Sequence, residues 1–205
     1  MTRTVTLLIL TLLLGAGSLM GPASAQDDAH PLLDLLAYLP ADEVASGNLV
    51  TYGNIAAWHA ATGIPRVANV TELDALPEHQ RAWWMSVMTR QTVIPSVLDI
   101  RYLYSEEMRP AYGFDLFAVD RFVALDMPPD GITVLETALD PAEIGAALSA
   151  TGYEADAFDN GALYRMLDDY ETALGTDLPR VGMLGALNRI AVLDGGRLVI
   201  ARATD

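Results

Sequence analysis

The chain contains neither cysteine nor lysine. Without cysteine there are no disulfides, no thiolate metal sites and no thiol nucleophile, so stability has to come from packing. Without lysine, Schiff-base chemistry, pyridoxal phosphate attachment and the phosphate-loop lysine are excluded together. All twelve basic residues are therefore arginine, set against twenty-seven Asp and Glu for a net charge of −15. Such a surface repels polyanions, which argues against nucleic acid and anionic membranes as partners. It suits a soluble exported protein better than a surface built for a cationic partner or Ca²⁺. Beyond residue 25 no run is long and apolar enough to span a bilayer.

What is present begins with the amino terminus. Arg3 supplies a positive end, Val5 to Leu14 is apolar apart from Thr6 and Thr11, and Ala23-Ser24-Ala25 offers the small residues that signal peptidase requires. Residues 1–25 are thus expected to be a signal peptide, cleaved near Ala25 to leave a secreted or extracytoplasmic chain starting at Gln26. The alternative is an uncleaved anchor that tethers an accessory protein, because no charge falls between Thr4 and Gln26. Gly15, Gly17, Gly21 and Pro22 loosen the helix before the cleavage site and favour removal. A thioether lipid anchor needs the cysteine that is missing.

The mature part is large enough to bury about 70% of its unfolded surface. Pro31 opens an apolar helix, Leu32 to Leu39, and Asn48 to Tyr52 reads as a strand. Gly53-Asn54 caps a helix through Ala61 that Gly63 and Pro65 close. Thr71 is expected to cap a short turn, and Pro77 to Gln91 is the longest helical candidate, with Trp84, Val87 and Met88 on one face. Val97 to Tyr104 is expected as a strand and Ser105 as the start of a short helix ended by Pro110 and Gly113. From Asp115 the pattern becomes that of a sheet. Ala118–Leu125 and Ile132–Thr137 pair as a hairpin, and Asp140 and Pro141 start a helix ended by Gly152. Tyr153–Phe158 and Ala162–Met166 flank an Asp-Asn-Gly turn, completing a β-α-β-β unit. An acidic connection, Leu167 to Pro179, precedes a last hairpin whose strands Arg189–Leu193 and Arg197–Ala201 flank Asp194-Gly195-Gly196. The expected fold is α+β, a mixed, mainly antiparallel sheet covered on one face by helices. Residues 26–112 form a helix-rich half and residues 113–205 a β-rich half, together one domain.

Candidate chemistry is sparse. Glu154 and Asp156 share one strand face, a spacing that suits a carboxylate pair acting on a glycoside, although a solvated face also explains them. Asp156, Asp159, Asn160 and Gly161 lack the ligand pattern of a calcium loop, since Phe158 interrupts it and no glutamate closes it. His30, His59 and His79 show no i, i+4 pairing for a metal, and no Gly-x-Ser-x-Gly elbow occurs. No metal or cofactor is expected. Trp83 and Trp84 are neighbours on a helix, so they point about 100° apart and cannot both face the same core without a wide apolar stripe; the simpler reading is that both plug the junction between helices and sheet, one of them partly exposed. They are the candidate ligand-binding residues, an exposed indole beside Arg81 or Arg90 being able to stack on a sugar ring or seat a partner protein. Asn69-Val70-Thr71 matches an N-glycosylation acceptor, but a capping role for Thr71 accounts for it.

Leu39-Pro40-Ala41-Asp42, Gly113-Phe114-Asp115, Pro128-Pro129, Leu139-Asp140 before a helix ending in Gly152-Tyr153, and Val192-Leu193-Asp194-Gly195 resemble landmarks of a loose group of uncharacterised exported bacterial proteins. The resemblance implies export and an α+β sheet, and supplies no catalytic residues. Members of that group tend to be longer, so a continuation beyond Asp205 is conceivable. The expectation is a non-catalytic binding or interaction protein whose partner is a protein or envelope ligand. The alternative from another class is a carboxylate-dependent glycan hydrolase using Glu154, Asp156, Asp168 or Asp169, which requires two of these acids to converge in a cleft.

Overall fold

The computed structural model describes residues 30–45, 48–86, 94–98, 108–125, 131–169, 171 and 185–202. Residues 1–31 form one unit, of which only His30 and Pro31 are described, and residues 32–205 form a second, compact unit. Residues 1–25, expected to be a signal peptide, the connection 126–130, Val87 and Met88 and most of the acidic connection after Leu167 lie outside the described residues. No helix among the described residues is long and apolar enough to cross a membrane.

Two short helices, α1 (Pro31–Leu36) and α2 (Ala41–Ala45), precede β1 (Val50–Asn54) and α3 (Ile55–Thr62). Then come α4 (Val70–Ala75), α5 (Glu78–Ser86), a 3₁₀ turn at Ser96–Leu98, α6 (Met108–Tyr112) and a second 3₁₀ turn at Leu116–Ala118. The chain continues through β2 (Val119–Leu125), β3 (Ile132–Thr137), α7 (Pro141–Thr151), β4 (Glu154–Phe158), β5 (Gly161–Arg165), β6 (Arg189–Leu193) and β7 (Arg197–Ala201). The strands form one sheet in the order β1-β2-β3-β7-β6-β5-β4, and every pairing among them is antiparallel. The fold is therefore α+β, with helices packed on an antiparallel sheet. Two meanders compose it. The chain runs β1-β2-β3, crosses by α7 to the far edge at β4, and returns through β5 and β6 so that β7 closes against β3.

Alternation along the strands assigns the two faces. Phe122, Leu135, Leu198, Ile190 and Val192 point to the main core, where Ile55, Trp84, Phe114, Ile144 and Leu148 meet them from the helices and turns. Val123, Leu125 and Val134 point the other way and are covered by Leu35 and Leu39. So α1 lies over β2 and β3 on the face opposite α7. Helix periodicity shows that α1 needs an apolar partner and is silent about which side of a sheet provides it. On the half of that face formed by β4 and β5, Arg165 of β5 ion-pairs with Asp156 of β4.

Caps explain the helix boundaries. Asn54 Oδ1 accepts the Ala57 amide at 2.8 Å to start α3, and Asp140 accepts from Ala142 at 2.9 Å, with Pro141 in the first turn, to start α7. Three local expectations are corrected. The N-cap of α4 is Asn69, not Thr71: Asn69 Oδ1 accepts the Glu72 amide at 2.9 Å, and Glu72 accepts back from the Ala68 amide at 2.8 Å. An amide side chain two residues earlier satisfies the donors that Thr71, already inside the first turn, cannot reach. Val97 and Leu98, expected at the head of a strand, sit in a 3₁₀ turn and are buried in the main core. Their β-propensity is overridden by burial against other side chains. Pro110, expected to end a helix, lies within α6, close enough to its start that the missing amide costs nothing.

Candidate functional site

The two tryptophans separate as helical geometry requires. Trp84 is only 2% exposed and stacks on Phe117, ring centroids 5.5 Å apart at 26°, whereas Trp83 on the outer side of α5 is 55% exposed. Trp84 therefore belongs to the core and cannot present its indole to a ligand, which removes it from the candidate binding pair. Trp83, a large apolar side chain left exposed, lines a cleft. Arg81 of the same helix reaches Asp74, 3.7 Å away, instead of the indole, and Arg90 lies outside the described residues.

The cleft has a volume of about 390 Å³ and is walled by Thr62, Gly63 and Ile64 on one side and by His79, Gln80 and Trp83 of α5 on the other. His79 and Trp83 stand i, i+4, so the helix places them one above the other. The facing wall is the end of α3. There Gly63 adopts φ +68°, a left-handed cap that only glycine takes without strain, and its amide donates to the His59 carbonyl at 3.0 Å. Thr62 Oγ1 donates to the Trp58 carbonyl at 2.9 Å and receives the Ile64 amide at 3.4 Å, turning the chain into the wall.

Both walls are fastened to one short segment. Arg66, just after the first wall, donates from Nε and Nη2 to the Phe117 carbonyl at 3.3 and 3.1 Å, and its Nη1 pairs with Asp120. Asp120 is available because a bulge between Val119 and Arg121 leaves it outside the β2–β3 register. The Phe117 ring, in turn, holds Trp84 and with it α5. The cleft is thus preorganised from a 3₁₀ turn about fifty residues beyond Arg66. No local pattern in the sequence announces that link, whereas the i, i+4 spacing of His79 and Trp83 was a legible signal for their shared face.

His59 lies directly behind the first wall, 9% exposed, with Nδ1 3.0 Å from the Ile64 carbonyl and its ring edge-on to Trp58 at 4.7 Å. A carbonyl can only accept, so Nδ1 carries the proton of the neutral ring. Burial above all, and the nearby Arg66 charge, push the His59 pKa below its ordinary value, against the opposing effect of the Ile64 contact. The unfolded chain then takes up its proton at a higher pH than the folded one. Stability contributed by neutral His59 is complete above the unfolded value near 6.5 and is lost as pH falls towards the folded value. Thermal melting should show a Tm that drops between pH 7.5 and pH 5.5, with a shallower drop in a His59→Asn variant; equal slopes would remove His59 as the cause.

The acidic candidates sit elsewhere, at the β4 end of the sheet. Glu154 and Asp156 are exposed on the edge strand, and Asp156 is held by Arg165 across β4–β5. Asp169 pairs with Arg189 at 2.7 Å. Glu154 and Asp168 do line a common cavity, together with Glu171, but two arginines share that cavity with them. Among the described residues no group of His, Asp and Glu side chains is arranged to hold a metal ion.

Comparison with protein-family models, curated proteins and solved structures finds no match to this chain.

Proposed function

We propose that the protein is an exported, non-catalytic binding protein and that an uncharged sugar ring of an envelope glycan is its ligand at Trp83. The observation that carries this reading is the lining of the cleft. On a chain of net charge −15, this cavity is walled by an exposed indole, an amide, a hydroxyl, an imidazole and an apolar side chain, with no carboxylate or guanidinium among them. An indole face accepts the C–H face of a pyranose, while Gln80 and Thr62 offer hydrogen bonds to its hydroxyls. The engagement of Asp156 and Asp169 by arginines supports binding over hydrolysis, because a hydrolase needs two carboxylates matched to each other across a scissile bond.

The mature protein, collected from the extracytoplasmic fraction and shown by mass to begin at Gln26, would be titrated with neutral oligosaccharides of glucose, mannose and N-acetylglucosamine. Intrinsic fluorescence should change on binding with a Kd between about 10 µM and 1 mM, and Trp83→Ala should weaken binding by tenfold or more. Unchanged affinity in Trp83→Ala would defeat the assignment of the site, and turnover of any of these glycans would defeat the non-catalytic reading.

A further inference from the structure

At the opposite end of the sheet from β1, one row of side chains crosses three strands. Glu154 of β4 stands opposite Arg165 of β5, and Arg165 stands opposite Arg189 of β6, all on the face away from α7. Two like charges directly opposite one another in a sheet are unfavourable unless something neutralises them. Part of the neutralisation is internal. Arg165 donates through Nη2 to Asp156, while Arg189 donates through Nη1 to the Leu167 and Asn188 carbonyls and pairs through Nη2 with Asp169.

Among the described residues these contacts leave the Nε–H of both arginines buried with no hydrogen-bond partner. For Arg189 the side chain as a whole is only 7% exposed, so its Nε–H has no ready access to bulk water. A buried donor left unpaired costs free energy, and two at adjacent register positions among the described residues mark a place suited to a further acceptor. Both arginines line a cavity of about 310 Å³, and its remaining charged lining is Glu154, Asp168 and Glu171. Hydrogen bonds hold Asp168 and Glu171 at the cavity. Asn188 receives the Leu167 amide at 2.7 Å and donates to the Asp168 carbonyl at 2.7 Å, and Glu171 accepts the Asp168 amide at 3.2 Å.

The cavity therefore offers cationic donors beside anionic acceptors. A simple anion would meet three carboxylates, and a simple cation would meet two guanidiniums. A ligand that carries both signs close together satisfies both halves. We propose that this cleft binds the zwitterion of an α-amino acid, the carboxylate received by Arg165 and Arg189 and the ammonium by Glu154, Asp168 and Glu171. The site is separate from the Trp83 cleft and does not depend on the glycan reading. Charge-assisted hydrogen bonds of this kind are the strong ones.

The mature protein would be titrated at pH 7 by saturation-transfer NMR with each of the twenty amino acids singly, and with acetate and methylammonium as half-ligands. At least one amino acid should bind with a Kd of about 1 mM or tighter, and each half-ligand at least tenfold more weakly. Arg165→Gln should weaken the amino acid by tenfold or more, as should Glu154→Gln, a change on an exposed edge strand that leaves the core untouched. Binding by none of the amino acids at about 10 mM, acetate binding as tightly as the zwitterion, or wild-type affinity in the folded Glu154→Gln protein would each overturn the proposal.

Discussion

Alanine at position 84 should destabilise the protein by about 3–5 kcal/mol, while alanine at the adjacent position 83 should change stability by no more than about 0.5 kcal/mol. The contrast follows from burial. Trp84 is enclosed and stacked on Phe117, so truncation removes a large apolar surface and leaves a cavity between α5 and the turn before β2. Because that turn also anchors Arg66, the loss should loosen both walls of the cleft, and Trp84→Ala should weaken glycan binding without touching the ligand. Trp84→Phe should be much milder, since Trp84 Nε1 is buried with no hydrogen-bond partner and phenylalanine removes that unsatisfied donor while keeping most of the ring. Urea melts of the three variants check the ordering. Equal destabilisation at positions 83 and 84 would contradict the placement of α5.

Replacing Gly113 by alanine should cost about 3 kcal/mol. Gly113 closes α6 at φ +76°, and a methyl group there would lie 2.6 Å from Ile144 Cα, 3.2 Å from the Ile144 carbonyl oxygen and 3.3 Å from Ala147 Cβ. The obstacle is the backbone of α7, which has no rotamer to change. Two effects add: the left-handed conformation, worth about 1 kcal/mol for a residue with a Cβ, and overpacking between two helices. Gly63→Ala separates them. Gly63 has a similar φ of +68° and nothing within 4 Å of a built Cβ, so it should cost only the conformational part, about 1 kcal/mol. The midpoint in urea should fall for both variants with little change in slope. A Gly113→Ala variant no less stable than Gly63→Ala would mean that α6 and α7 do not approach as described.

Several features of this chain were legible one segment at a time. The cap at Asn54, the Asp140-Pro141 start and Gly152 end of α7 and the tight turn at Gly195-Gly196 all depend on interactions spanning four residues or fewer. Each carries its own chemistry: a short polar side chain for exposed amides, a fixed φ at proline, a positive φ at glycine. The α+β class followed from the change of period near Asp115. Where local signals competed with tertiary ones, the local ones lost. Val97 and Leu98 resemble strand residues and are packed as a turn because the core needed their side chains there.

The site divides along the same line. That Trp83 and Trp84 must diverge is a property of the helix, written in their adjacency. Which of them faces the core depends on Phe117, more than thirty residues away, and the cleft exists because Arg66 reaches the same turn. Likewise, Glu154 and Asp156 announce a polar strand, but their meeting with Arg165 and Arg189 required β4, β5 and β6 to lie side by side in register. Composition and short-range spacing thus determined what the chain lacks chemically, its acidic surface and the identity of most of its elements. Only the tertiary structure decided which indole stays exposed, which carboxylates meet guanidiniums and which sheet face α1 covers. Those outcomes rest on contacts between residues distant in sequence, and no local propensity encodes a partner that is brought near only by folding.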